Sequence, residues 1–542
     1  MDGKRAGCDV VIIGGGLVGS MASVMLQRRG LRTLVLESRP LGKEQKVVVG
    51  EAITEGSSVF LRHELGLTDW LKANAFRKFG FDFVIRPRSA DGNAPLPRTI
   101  EDCHELLLSL TPLEKIPGAF KRLIPTFHVE RTGMNAHVAM MAQHEGARWL
   151  HGASVENVAL GQGKHTVHYS LHGDGRPHEV DCRWVLDASG RRTVLGRQLG
   201  ITHPVRELNT AAVWNRFTNV RTDAAFWNTF QGIDRRRHTI HFTGPGFWVW
   251  WIHQNQDLTS VGVSFDKDQH QPNVKTDDRG FWEMMRKFPP VIDALEGARA
   301  LEPYQYYAHL PYRSDHWIGL EGYALVGDAA WFSDALYSIG IETACRQLVQ
   351  VVPMIVDACH GKAPCPKMVA GLNQEFDYCQ DTVLKLNAFK YREGWARPHV
   401  VMQTALYELG EISELYNLQD KANWTPKMLA KHYRLQWSTK QRMIDQDRFQ
   451  QRALADGDRD VTEPGLLKKA LLPGWAVYGF TYPLWKLPNM RPYFFKITRL
   501  WGFSERFTQR LKFWPDALSW MASGPSLTTV INRLQERRAA RS

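Results

Sequence analysis

Asp9-Val10-Val11-Ile12-Ile13-Gly14-Gly15-Gly16-Leu17-Val18-Gly19 decides the fold. Val10 to Ile13 is a short β-branched run without polar interruption, which reads as a buried parallel strand. Glycines at 14, 16 and 19 follow, and a helical pattern runs from about Ser20 to Arg29, where Gly30 ends it. Leu31-Arg32-Thr33-Leu34-Val35-Leu36 is the second strand, closed by Glu37. Gly14 makes the tight turn, Gly16 admits a pyrophosphate, and Gly19 lets helix and strand approach. The helix N-terminus offers unpaired N–H groups to phosphate, and Glu37 accepts ribose hydroxyls. A glycine triplet alone also fits a plain structural turn. Strand, helix, strand and terminal acid together specify dinucleotide binding.

At 542 residues, with 44% hydrophobic and 23% charged side chains, the chain has apolar material for two or three joined lobes. Its seven cysteines are scattered, with neither a Cys-x-x-Cys pair nor metal spacing. That predicts buried thiols in a reducing, cytoplasmic setting and no metal centre. The N-terminus enters a strand within about ten residues without a signal-peptide core, and no apolar run is long enough to span a bilayer. The net charge of +12 is local: residues 465–542 hold 13 basic against 3 acidic side chains, and the remainder is nearly balanced. The same tail is rich in aromatics, among them Trp475, Trp485, Trp501, Trp514 and Trp520. Either these rings cover the other lobes while Lys and Arg face water, or the tail lies on an anionic surface. The second reading gives a peripheral contact at the inner membrane face or with an acidic partner. No recognised module frames the charge for nucleic acid, which is not expected as a partner.

Two further strands end in acids. Trp184-Val185-Leu186-Asp187-Ala188-Ser189-Gly190 resembles the second nucleotide-contacting segment of the group A flavin monooxygenases. Tyr323-Ala324-Leu325-Val326-Gly327-Asp328-Ala329-Ala330 resembles the segment whose Asp meets the flavin ribityl chain in that family. A short acid at a strand end accepts sugar hydroxyls, and a following helix dipole stabilises negative charge on reduced flavin. Arg131, after His128-Val129-Glu130, resembles the Arg that closes over the cofactor, although the same pattern suits a surface pair. Three segments in the family's order imply FAD.

Within this superfamily, residues 8 to 360 resemble the flavin-dependent halogenases, including the tryptophan, pyrrole and phenol halogenases. Four places carry the likeness. Val48-Val49-Gly50-Glu51-Ala52 matches a strap that crosses the flavin. Arg77-Lys78-Phe79-Gly80-Phe81-Asp82-Phe83 matches a segment presenting the catalytic Lys. Trp248-Val249-Trp250-Trp251-Ile252 precedes a strand at Ser260-Val261-Gly262-Val263. Phe332-Ser333-Asp334-Ala335-Leu336-Tyr337-Ser338-Ile339-Gly340 is similar to the halide loop.

The resemblance implies that reduced flavin and oxygen oxidise chloride or bromide to a hypohalous acid. A Lys ammonium then holds it and delivers electrophilic halogen to an electron-rich ring. Lys78 is the candidate, with Lys72 a competitor. The halide needs backbone N–H donors in a small concave nest, which Ser338, Ile339 and Gly340 offer at the start of a helix continuing through Cys345. Trp248 and Trp250 are expected to wall the flavin from the substrate, although alternating Trp is also ordinary sheet packing.

This chain departs from the family at His253 and Ala335, where Pro is usual, and at Trp331, where Gly is frequent. Tyr337 stands where the tryptophan halogenases carry the Glu that orients indole, so a phenolic or pyrrolic ring is expected instead. His253 is either a local base or a packing residue. The expectation is an α/β fold: residues 1–360 form a Rossmann-type FAD-binding domain with an interleaved β-sheet substrate lobe. A helical C-terminal region at 361–464, with periodicity as in Met428 to Tyr433, covers the substrate, and a basic aromatic tail fills 465–542. FADH2 from a separate flavin reductase, a free or carrier-tethered aromatic substrate and a halide complete the expected partners. A halide-independent flavin monooxygenase on this scaffold is the second reading, and a non-catalytic flavin-binding partner the third.

Overall fold

Val10–Ile13 is fully buried because it lies inside a sheet of six strands. The computed structural model describes residues 7–43, 48–86, 96–111, 125–223, 233–272, 278–392, 395 and 469–473. The sheet runs Ile318–Gly319, Tyr323–Leu325, Trp184–Asp187, Val10–Ile13, Thr33–Glu37, Arg148–His151. Val10–Ile13 pairs in parallel with a neighbour on each side. The strands leading to Asp187 and Asp328 are thus neighbours, the strand ending in Glu37 lies across Val10–Ile13 from them, and all run in parallel with their C-terminal ends on one side.

The fingerprint helix begins at Leu17, three residues before the expected Ser20, because Gly16 itself is the N-cap in extended conformation. It ends at Gln27, and the second strand is Thr33–Glu37 rather than 31–36. Helices Arg131–His144 and Ile339–Cys359 pack against it. Ile339–Cys359 is long and apolar enough to cross a membrane by composition alone. Here Leu348, Val351, Val352 and Ile355 have no exposed surface and belong to the core of the nucleotide lobe, so it is a core helix.

The second lobe is a nine-stranded sheet whose middle holds Thr259–Asp266, Phe247–His253 and His238–Gly244, followed by Gly80–Ile85 and His104–Ser109. The tryptophan strand Phe247–His253 is buried along its whole length because both faces are covered. Trp248, Trp250 and Ile252 pack with Ala52, Phe332, Leu336 and Tyr391. Val249 and Trp251 face the other side, with Phe281, Met284 and Val291. Gly262 opposes Trp250 in register, and a Cβ there would lie 2.2 Å from the indole. The ring therefore lies flat across a position that only glycine leaves open.

A three-stranded sheet, Ala52–Ile53, Thr126–His128 and Phe76–Lys78, links the strap and the lysine segment. Of the region 361–464, helix Pro366–Arg392 is described, about 40 Å long at the α-helical rise. Of the tail, Lys469–Pro473 is described, as an edge strand parallel to His104–Ser109. The periodic stretch from Met428, the tail aromatics and the membrane-contact expectation lie outside the described residues. All seven cysteines are free; Cys365 is exposed and Cys379 half-buried, against the expectation of uniform burial.

Candidate active site

The glycine roles separate by geometry. Gly14 has φ +99°, and a Cβ there would meet the Ala188 carbonyl at 2.6 Å. A Cβ on Gly19 would lie 2.0 Å from the Gly14 carbonyl, so helix and turn touch there. Gly16 is different: a Cβ would meet nothing within 4 Å. It borders open space at an uncapped helix N-terminus, the shape and polarity a pyrophosphate requires. Glu37 lies beneath this turn. Its Oε2 accepts from Gly15 N at 2.8 Å and its Oε1 from Arg39 N at 2.8 Å, so the carboxylate shapes the loop as well as closing the strand.

Asp187 is fully buried and accepts from Ser189 N at 2.9 Å and Leu195 N at 2.7 Å. Each oxygen accepts a backbone N–H, so Asp187 orders the turn that follows its strand. Asp328 contrasts with it. Among the described residues no donor reaches its carboxylate, which lies 3.6 Å from where a Gly340 Cβ would stand. Burial raises its pKa, opposed by the charges of Arg191 and Arg131. A desolvated acid without a hydrogen-bond partner, at the C-terminal edge of the sheet, fits a group that brings its own hydroxyls. Gly327, just before it, has φ +60° and donates its N–H to Gln347 Oε1 at 2.8 Å.

Arg131 is the first residue of its helix and makes no surface pair. Its Nη1 donates to the carbonyls of Val49 at 2.8 Å and Gly50 at 3.3 Å. Gly50 has φ +102°, and a Cβ there would come within 2.6 Å of that nitrogen. Arg131 therefore clamps the strap over the nucleotide lobe. Glu51, buried behind it, accepts from Gln254 Nε2 at 3.3 Å.

The two candidate lysines part company. Lys72 is 68% exposed and pairs with Asp69 at 3.2 Å, as a solvated surface lysine does. Lys78 ends its short strand half-buried by surface but ringed by protein, and its ammonium makes no hydrogen bond or ion pair among the described residues. Desolvation lowers its pKa, while the carboxylates of Glu55 and Glu342 oppose the shift.

Trp248 and Trp250 share one face, ring centroids 5.6 Å apart. Trp250 Nε1 donates to Ser260 Oγ at 3.2 Å. Trp248 Nε1 donates to Tyr391 Oη at 2.8 Å and Asp334 Oδ1 at 3.2 Å. Tyr391 Oη also reaches Asp334 Oδ2 at 2.7 Å and Ser264 Oγ at 2.5 Å, and Leu336 N donates to Asp334 Oδ1 at 3.0 Å. This buried network ties the tryptophan strand, the loop that holds Asp334 and Leu336, and the end of helix Pro366–Arg392 together. Sequence reading missed Tyr391, since nothing local marks a helix-end Tyr as the partner of a distant Trp.

His253 is a packing residue. Its Nε2 accepts from Trp251 Nε1 at 3.1 Å, and its Nδ1 lies 2.9 Å from Thr259 Oγ1. Burial pushes its pKa down to about 3, which leaves it neutral. It sits on the face away from Trp248 and Trp250.

Ser338 stands at φ +56°, ψ 28° and begins helix Ile339–Cys359 with no side-chain cap. A small cavity opens at this terminus, lined by Gly327, Trp331, Ser333, Asp334, Ile339 and Gly340. Ser333 is 2% exposed, and its hydroxyl has no hydrogen-bond partner among the described residues. Tyr337 lies in the short turn Leu336–Ser338, and its side chain is outside the described set. Thr54 Oγ1 donates to Glu342 Oε2 at 2.6 Å, which joins this helix start to the sheet that bears Lys78.

Residues 7–364 match the family described as FAD binding domain. The chain is similar to the 1H-pyrrole-2-carbonyl-[peptidyl-carrier protein] chlorinase of Pseudomonas fluorescens, 30% identical over 62% of this chain and 73% of that protein. It is also similar to the 1H-pyrrole-2-carbonyl-[peptidyl-carrier protein] brominase of Pseudoalteromonas luteoviolacea, 25% identical over 65% and 78% respectively. Among solved structures, the halogenase PltM matches with a TM-score of 0.67 at 19% identity, over 83% of this chain and 93% of that one, a likeness of fold.

Proposed function

This chain belongs to the flavin-dependent halogenases, FAD-dependent enzymes within the FAD binding domain family, and on that premise we propose that it halogenates an electron-rich phenolic or pyrrolic ring with chloride or bromide. Bound FAD, reduced by a separate flavin reductase, supplies the electrons that activate oxygen. The observation that carries halide use is the cavity at the start of helix Ile339–Cys359. An uncapped helix terminus there offers N–H donors from Ile339 and Gly340, and the buried Ser333 hydroxyl has no partner among the described residues. Such a nest favours a small anion.

The remaining roles follow from position. Gly14, Gly16 and Gly19 hold the nucleotide phosphates, Asp328 its polyol, and Arg131 with Gly50 the strap above it. Trp248 and Trp250 separate the flavin chamber from the ring to be halogenated. Lys78 donates a hydrogen bond to the oxygen of the hypohalous acid and keeps it from diffusing into the protein. The two pyrrole relatives favour a ring delivered on a carrier protein.

The test combines the full chain, FAD, a flavin reductase, NADH and bromide with free phenols and a carrier-bound pyrrole. Brominated product is expected, lost in Lys78→Ala with FAD absorbance retained, and Ser333→Ala is expected to raise the bromide KM. Trp331, which narrows the cavity, favours the second reading. Oxygenated product formed without halide would establish that reading instead.

A further inference from the structure

Glu55 opens helix Glu55–His63 directly after its cap Thr54. Strand register places it. Phe127 pairs with Ile53 on one side and Arg77 on the other, so Thr54 and Lys78 come level across the intervening strand. Antiparallel strands two spacings apart leave about 9–10 Å between these backbones. Ser58, one helical turn after Glu55, hydrogen-bonds the Pro125 carbonyl, which seats the helix start against the same sheet.

Lys78 and Glu55 thus lie within reach of each other's charge, yet no ion pair closes between them among the described residues. The Glu55 carboxylate accepts from its own backbone N–H, and no side chain among the described residues hydrogen-bonds it. Its charged neighbours are engaged elsewhere: Glu342 with Thr54 and Arg346, and Arg77 over Phe127. Burial raises the pKa of Glu55, against the charges of Lys78 and Arg77 and with that of Glu342. His128, His238 and His241 face Lys78 from the adjoining strands, and burial keeps all three neutral. A desolvated acid and a desolvated amine, held apart and without a side-chain hydrogen-bond partner among the described residues, are suited to act on something between them.

We propose that Glu55 is the base that removes the ring proton displaced by halogen, and that it returns this proton to Lys78. The inference rests on the halogenase reading above. The ring carbon must reach a halogen held at Lys78, so a base beside Lys78 lies beside the carbon that loses hydrogen. As the C–X bond forms, the O–X bond breaks and its electron pair leaves with oxygen. That oxygen, as hydroxide, takes a proton from the Lys78 ammonium and becomes water. The ring carbon then gives its proton to Glu55, and the C–H electron pair restores aromaticity. Transfer from the Glu55 carboxyl to the Lys78 amine resets both groups, and the sum is ring C–H plus HOX giving ring C–X plus water.

The test compares ring-protiated and ring-deuterated phenol in bromination by wild type, Glu55→Gln and Glu55→Asp, with FAD retention and thermal melting as checks on folding. In Glu55→Gln the rate is expected to fall by about 10²-fold or more, and a discrimination against deuterium absent from wild type should appear. Glu55→Asp, which keeps a carboxylate, recovers part of the rate and carries the test if the Gln variant does not fold. An unchanged rate in Glu55→Gln, or a loss without deuterium discrimination, overturns the assignment. A second readout needs no turnover: acylation of Lys78, followed by mass spectrometry against pH. Glu55→Gln removes a charge that holds the ammonium protonated, so Lys78 should react at lower pH. An unchanged profile overturns the pairing, whereas a wild type that brominates nothing sinks the halogenase reading and leaves this measurement standing.

Discussion

Gly16 and Gly19 stand three residues apart in the same motif and serve opposite ends. At Gly19 the side-chain position is filled by the Gly14 carbonyl, and at Gly16 it is empty. Gly19→Ala is expected to cost on the order of 1–3 kcal/mol in stability, because backbone must move. Gly16→Ala should unfold at the wild-type urea concentration but bind FAD about tenfold more weakly or worse, a loss of about 1.4 kcal/mol. Urea titration with flavin titration separates the two, and equal effects on both properties would contradict the division. Tyr391 offers the other residue-scale test. Tyr391→Phe removes a 2.7 Å partner from Asp334 and a 2.8 Å acceptor from Trp248, a cost of about 1–3 kcal/mol for buried groups left short of a partner. Asp334 lines the same cavity as Ser333, so a loosened carboxylate should raise the bromide KM more than it lowers kcat. Steady-state kinetics against bromide decides this.

Elements explain why the tryptophan motif has its spelling. Phe247–His253 lies mid-sheet, so alternate residues serve different chambers: Trp248 and Trp250 face the helix start and Tyr391, and Trp251 faces His253. The departure at His253 therefore alters the face that bears Trp251 and leaves the face that bears Trp248 and Trp250 unchanged. The sheet edge is another matter. Lys469–Pro473 adds a strand beside His104–Ser109, with Leu471 in register with Leu107. Proline has no N–H to give the ladder, so Leu471→Pro is expected to destabilise the fold by on the order of 1–3 kcal/mol. Chemical denaturation checks it, and an unchanged midpoint would argue against a structural role for this piece of the tail.

Acid sensitivity belongs to the whole molecule, since it sums groups from several strands. His238, His241 and His253 are each held down to about 3 by burial. Such an imidazole takes up its proton more readily once unfolded. Its contribution is complete above the unfolded value of 6.5 and is lost as pH falls toward about 3. Each group adds up to about 1.4 kcal/mol per pH unit in that window. Buried carboxylates with raised pKa, such as Asp187 and Asp334, act the other way, losing stability as pH rises above the ordinary carboxylate range. In His253→Gln the difference in unfolding free energy between about pH 6.5 and about pH 5 should shrink by roughly 2 kcal/mol. Urea titrations at the two pH values measure it.

The sequence by itself determined the α/β nucleotide lobe, FAD and the family, because those signals are local. A β-branched strand, three glycines and a terminal acid each act within a few residues of one another, and backbone sterics read them directly. Even the helix boundary missed by three residues is a local matter of how Gly16 caps. Tertiary structure decided the rest. It set the desolvated Lys78 apart from its competitor Lys72, which is exposed and paired with Asp69, gave Asp187 backbone N–H partners while leaving the Asp328 carboxylate without a donor among the described residues, and made His253 a packing residue. It also brought in Glu55, Ser333 and Tyr391, which no motif marks. Tyr391 meets Trp248 across 143 positions of sequence and Thr54 meets Glu342 across 288. Contacts at that separation depend on how two sheets and a helix pack, and single-chain periodicity carries no record of such packing.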